Sequence, residues 1–336
     1  MVFIVKDGKI RDAQICLYPM KLKAPLKDYV WGGSKLKTQY GKETSLERVA
    51  ESWELACHED GINTILNGDY KGMLLSDYVN QYGHKALGEN AKALDRFPLI
   101  IKLIDAKDSL SVQVHPDDEY AGRVEASLGK TEMWYVVDCE EHSSLLYGFR
   151  HDVSKDEVKE HIRNNTLTEV CNKVNVSKGD VFYIPAGTLH AISEGILIAE
   201  IQQNSNMTYR IYDYGRVGAD KKPRALHIDK ALAVLNFKQS GCDTKPQGER
   251  QEFDGYTDTL LVRSDYFVVR RLEITKSVKL ATGKESFQSL LVLDGEFSLD
   301  YNGESMPVKK GESIFVPANM GGYDLSGQGE ILITSI

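Results

Sequence analysis

The stretch Gly179-Asp180-Val181-Phe182-Tyr183-Ile184-Pro185-Ala186-Gly187-Thr188-Leu189-His190 has the form G-x5-P-x-G-x2-H. A turn glycine is followed by one short β-rich run. Pro185 ends that run, because it has no backbone N–H to give to a ladder. The turn around Gly187 then aims His190 inward. The stretch Gly311-Glu312-Ser313-Ile314-Phe315-Val316-Pro317-Ala318-Asn319 repeats G-x5-P-x but lacks the second glycine and the histidine. Between the copies, residues 239–256 are polar, hold three glycines and show no periodicity, as expected of a domain boundary. Two related β units follow, and only the first carries the histidine.

The rest of the chain has the same texture. Glycine punctuates runs rich in Val, Ile, Tyr and Phe, which predicts strands over 98–105, 110–115, 132–138, 181–185, 196–202, 208–214, 266–274, 289–293, 296–301, 313–317 and 331–336. Helices are expected over 154–164, where Ser154 and Glu157 have capping-box spacing, and over 75–82. A length of 336 residues fits two domains, and 42% hydrophobic with 27% charged residues is globular composition. With 41 basic and 49 acidic residues the net charge is −8, which argues against a nucleic-acid face and leaves room for a local basic pocket. The five cysteines are scattered without a CxxC pair, so no disulfide framework is expected and a reducing cytoplasm is the expected location. The opening MVFIVKDGKI is too short an apolar run for a signal segment, and no run reaches the ~18 apolar residues of a membrane span.

The repeated motif resembles the second signature of cupins, double-sheet β-barrels whose mouths often hold a metal. The expected fold is therefore mainly β: two cupin-type jelly-roll β-barrels with a few helices on the N-terminal part. Residues 1–238 would carry the metal and the active site, and residues 257–336 would form a metal-free barrel. In the second copy Asn319 and Gly322 stand where the first has Gly187 and His190, and no histidine follows His227.

The run 109–115 alternates, with Leu110, Val112 and Val114 on one face and Ser109, Ser111, Gln113 and His115 on the other. A solvent-facing polar face is the plain reading. The sharper one points Gln113 and His115 into a barrel mouth. Downstream, Lys130 and Glu132 share a face if the chain is extended there. With His190 these give one amide oxygen, two imidazoles and one carboxylate, a donor set that suits zinc or another divalent first-row metal. The run 195–202 places Ile196, Ile198, Glu200 and Gln202 on one face, so Glu200 either lies buried near the metal or marks where the strand leaves the core. Arg210 shares a face with Tyr212 and Tyr214, which suggests aromatic stacking.

Several segments together resemble type I mannose-6-phosphate isomerases in order and context. They are residues 97–103 (FPLIIKL), 111–117 (SVQVHPD), 129–134 (GKTEMW), 187–191 (GTLHA) and 209–214 (YRIYDY), with Trp31-Gly32-Gly33 and Glu51-Ser52-Trp53-Glu54 upstream. The likeness is strong from Trp31 to Leu235 and is to the short bacterial form. It implies one zinc per chain, held by Gln113, His115, Glu132 and His190. It also implies that Arg210 is the catalytic arginine and that Lys130 lies in the active site. Glu200, Lys130 and a zinc-bound water are the candidates for the base, and Ser111, Lys130 and Arg210 those for binding the substrate. Two positions depart from the long-form members: Gly129 replaces a histidine and Asn206 an aspartate, so roles given to those side chains do not transfer.

The implied reaction is the interconversion of D-mannose 6-phosphate and D-fructose 6-phosphate through an enediol(ate). The sugar phosphate is the expected partner, with neither nucleic acid nor membrane, in a monomer or homodimer. A metal-dependent cupin oxygenase and a non-catalytic sugar-phosphate-binding cupin are the alternatives.

Overall fold

A computed structural model describes residues 3–6, 9–12, 15–217 and 222–336. The chain divides into two compact units, each interrupted in sequence. One comprises residues 26–53 and 99–247, the other 1–25, 54–98 and 248–336. The last of the four breaks, between residues 247 and 248, falls inside the polar stretch 239–256. The first part of the chain, however, is shared between the units.

The unit formed by 26–53 and 99–247 is a two-sheet jelly roll. Its five-stranded sheet runs Cys171–Asn175, Ser144–Phe149, His190–Ile192, Val112–Val114, Tyr209–Tyr212. In the second sheet Val181–Ile184, Glu132–Cys139, Ile196–Gln203 and Leu99–Ala106 lie in that order. The sheets meet through one apolar cluster: Trp134, Phe182 and Ile198 from the second pack with Leu145 and Ile192 from the first. Burying each such side chain contributes about 1.5–3 kcal/mol.

The outer face of the five-stranded sheet is covered as well. Val158 of the helix Lys155–Arg163 and Ala231 and Leu232 of the helix Ile228–Val234 join Val112, Val114 and Ile211 in a second cluster. In the strand Val112–Val114 the two valines lie under the helices and Gln113, on the other face, is half-buried. Ser154 caps the first helix with both capping-box hydrogen bonds formed, as its spacing predicts. Gly187 sits at φ 86°, the left-handed region the turn before His190 requires.

In the other unit one antiparallel sheet runs Gln251–Phe253, Tyr256–Arg263, Val268–Ile274, Gly321–Ser335, Gln288–Tyr301, Ser313–Val316, Met20–Lys23, Thr64–Ile65. Its interior is apolar, with Leu290, Val292, Ile314, Val316 and Ile331 in one cluster. Asn319 keeps the left-handed turn of the motif at φ 61°, since asparagine tolerates that region better than most residues.

Three local expectations change here. The runs 289–293 and 296–301 form one strand, Gln288–Tyr301, that bulges between Val292 and Asp294 and continues through Gly295. The run 331–336 is the end of the longer strand Gly321–Ser335. The polar stretch 239–256 contains the strand Gln251–Phe253, paired to Tyr256–Arg263 in a tight hairpin. Among the described residues no helix is long and apolar enough to cross a membrane.

Candidate metal centre and cavity

His115, Glu132 and His190 come from three strand ends and are buried together, with one ligand atom of each lying within 4.8 Å of the others. His190 Nε2 is 3.3 Å from Glu132 Oε1 and His115 Nε2 is 3.6 Å from Glu132 Oε2. His190 Nδ1 lies 2.9 Å from Thr188 O. With Nδ1 donating there, the Nε2 lone pair turns toward the carboxylate. Burial holds both rings neutral: it lowers His190 to about 4, and His115 falls well below its ordinary value. Burial also raises the Glu132 carboxyl, against the pull of Lys130.

Both Nε2 atoms and Glu132 Oε1 are buried without a hydrogen-bond partner among the described residues, and Glu132 Oε2 has the Lys130 ammonium at 2.8 Å. Lone pairs facing one another at such distances repel unless a cation lies between them. The residues therefore fit a divalent metal with nitrogen and oxygen donors. Gln113 stands opposite His190 in register on the neighbouring strand and lines the adjoining cavity.

That cavity has a volume of about 230 Å³. Lys130 enters it just before the strand Glu132–Cys139, with Nζ 2.8 Å from Glu132 Oε2 and 3.9 Å from Glu200 Oε1. Glu200 resolves its sequence ambiguity: it is buried and faces this cluster. Desolvation works to raise it, but Lys102 and Lys130 prevail and hold it well below the carboxylate range. Lys102 lies 3.0 Å from Glu200 Oε1 and 3.7 Å from Glu51 Oε2. Burial opposes its charge, yet the charges of Glu200 and Glu51 leave it raised above its ordinary value. The buried group thus counts two lysines against three carboxylates beside neutral imidazoles.

Arg210 lies across the ladder from Gln113 and lines the same cavity. Aromatic stacking is not what fixes it. Its Nε donates to Ser111 Oγ at 3.1 Å and its Nη1 to Ala225 O at 3.1 Å. The cation over the Tyr214 ring is Arg216, at 5.2 Å. Arg216 and Arg224 are both tied to Asp213, Arg224 through two hydrogen bonds, and Arg224 also lines the cavity.

Lys102 and Glu51 lie on strands whose pattern does not mark them as site residues. The strand Leu99–Ala106 is buried at all eight positions, so alternation carried no signal there. A lone lysine inside an apolar run was the available one.

Comparison with known proteins decides the family. The model of the phosphomannose isomerase type I catalytic domain matches residues 20–143, and that of the mannose-6-phosphate isomerase cupin domain matches residues 257–336. The chain is 35% identical over 319 residues to the mannose-6-phosphate isomerase ManA of Bacillus subtilis, covering 95% of this chain and 99% of that one. The chain belongs to the type I mannose-6-phosphate isomerase family. A mannose-6-phosphate isomerase of Streptococcus mutans is 35% identical, over 94% of this chain and 97% of its own. The crystal structure of a mannose 6-phosphate isomerase from Bacillus subtilis superposes with a TM-score of 0.88 at 34% identity, over 95% of this chain and 99% of that one.

Gly129 is confined by backbone. A Cβ there would stand 2.4 Å from the Asp117 carbonyl carbon and 2.5 Å from Asp118 N. The backbone of Gly129 instead donates to Asp118 Oδ1 at 2.8 Å. No side chain fits at this position without moving the start of the helix Asp118–Glu125.

Proposed function

We propose that the protein interconverts D-mannose 6-phosphate and D-fructose 6-phosphate through an enediol(ate), using a zinc ion held by Gln113, His115, Glu132 and His190. The observation that carries this reading is the convergence of the His115, Glu132 and His190 lone pairs beside Lys130, which with Lys102 and Arg210 lines the adjoining cavity. Family membership selects the sugar phosphates.

The reaction exchanges a proton between C1 and C2 of the open-chain sugar while negative charge develops on an oxygen. When bound, zinc supplies Lewis-acid polarisation of the sugar's oxygens, a contribution of several kcal/mol. Arg210, oriented by Ser111, presents a fixed positive charge to the developing enediolate, and Ser111 and Lys130 bind the substrate beside it. Lys130, between Glu132 and Glu200, is the group placed to carry charge or a proton at the reacting carbons. Glu200 is ionised and a weak base, because its proton affinity is held low. Its contribution is to hold Lys102 and Lys130 in place through Oε1. Arg224, which also lines the cavity, leaves a cation for the phosphate.

A coupled assay on mannose 6-phosphate, with metal analysis of the same sample, tests the proposal. Turnover that tracks zinc content supports it. No turnover by the zinc-loaded protein overturns it.

A further inference from the structure

Lys102 is held between two carboxylates, and each of those carboxylates is held by an indole. Trp134 Nε1 donates to Glu200 Oε2 at 2.9 Å, leaving Glu200 Oε1 to face Lys102 Nζ at 3.0 Å. On the other side Trp53 Nε1 donates to Glu51 Oε2 at 2.7 Å, and that oxygen lies 3.7 Å from Lys102 Nζ. The Lys102 ammonium also stands 5.1 Å over the Trp53 ring. Both tryptophans are completely buried. Trp134 has a second contact: its ring meets that of His190 edge-on, with centroids 5.3 Å apart and planes at 81°.

The terminal torsion of a glutamate is broad, so a carboxylate with one partner can turn. Two partners on different oxygens, as at Glu200, define its plane. Filling these two buried positions requires only an apolar ring, which phenylalanine would provide. An indole brings an N–H that needs a partner when buried, and both indoles give it to a carboxylate facing Lys102. We propose that Trp53 and Trp134 are positioning residues. Their N–H groups orient Glu51 and Glu200, which in turn hold the Lys102 ammonium in the cavity wall, and Trp134 also backs the His190 ring. This rests on the isomerase reading for its kinetic consequence but not for its geometry.

The test uses the full-length zinc-loaded protein and the variants Trp134→Phe and Trp53→Phe, which keep a ring and lose the donor. Loss of a hydrogen-bond partner behind a working group typically costs about 10–100-fold in activity. We expect kcat to fall about tenfold or more in Trp134→Phe, with KM within about twofold and zinc content unchanged. In a Glu200→Met background, which leaves the indole no acceptor at that position, the same substitution should cost less than about twofold, since the two act in one network. An equal loss in both backgrounds means that the ring acts by packing alone and overturns the proposal.

A second readout needs no activity. The chain has three tryptophans, and their indole N–H resonances in a 15N-labelled sample are assigned by the signal each Phe variant removes. Glu200→Gln must move the Trp134 resonance and Glu51→Gln that of Trp53, each leaving the other in place. Unmoved resonances overturn the proposal even if the enzyme is active. If the zinc-loaded wild type does not turn over mannose 6-phosphate, the functional reading fails, and the resonances alone decide the positioning claim.

Discussion

Lys130 Nζ lies 2.8 Å from Glu132 Oε2, two residues along the same chain, while the other oxygen of that carboxylate faces His190. One carboxylate therefore joins the candidate metal centre to a cation in the substrate cavity. Replacing Lys130 by methionine keeps the stem and removes the charge. Turnover should fall by about 10²-fold or more, the scale of losing a positioned proton-transfer or charge-stabilising group. Zinc content by elemental analysis should hold near one per chain, because Lys130 is not a ligand. Loss of the metal together with activity would move Lys130 to a structural role.

Arg210 separates two kinds of binding. If its guanidinium meets charge that develops only in the reaction, Arg210→Ala lowers kcat by about 10²-fold while KM changes little. Ser111→Ala removes the 3.1 Å partner of Arg210 Nε and should give a smaller loss in the same direction. Steady-state kinetics on mannose 6-phosphate would show the contrary case as a raised KM at nearly constant kcat, which would make Arg210 a phosphate clamp only.

Asp213 gives a prediction with a definite sign in pH. Burial works to raise its carboxyl, but hydrogen bonds from Arg224 and Arg216 outweigh this and hold it below its ordinary value of 3.8. A carboxylate lowered on folding contributes stability that is complete above that value and is lost as pH falls through the lower folded value. Acid unfolding of wild type and Asp213→Asn should therefore differ most above about pH 4 and converge below it. The variant should also raise KM, because Arg224 loses its anchor beside the cavity. A stability difference that grows toward acid pH would contradict this account.

Gly129→Ala tests the steric reading of that position. The added Cβ meets backbone atoms of Asp117 and Asp118 at 2.4–2.5 Å, and neither is the free end of a side chain. Overpacking of this kind costs about 1–3 kcal/mol, to be read as a lowered midpoint of denaturant unfolding. An unchanged midpoint would show that the loop gives way freely.

Much of this site was legible in the sequence because it lies on local patterns. His190 ends a motif whose glycine and proline set its turn. Gln113 and His115 fall two apart on a strand, and Glu200 breaks an apolar alternation. Arg210 came from family likeness, and its partner proved to be Ser111, just before the adjoining strand, rather than Tyr212. Lys102 and Glu51 were hidden because a strand buried on both faces has no alternation to read. The two units hid for another reason. Met20–Lys23 pairs with Ser313–Val316, almost the whole chain away, and nothing in four residues announces so distant a partner.

The most direct test is the zinc dependence of mannose 6-phosphate turnover, measured on one preparation as purified, after chelation and after reloading. The account predicts about one zinc per chain in the active protein, loss of both metal and turnover on chelation, and recovery of both with zinc. It also predicts that His190→Ala can be neither loaded tightly nor reactivated. Full conversion to fructose 6-phosphate by a preparation shown by elemental analysis to be metal-free would contradict it.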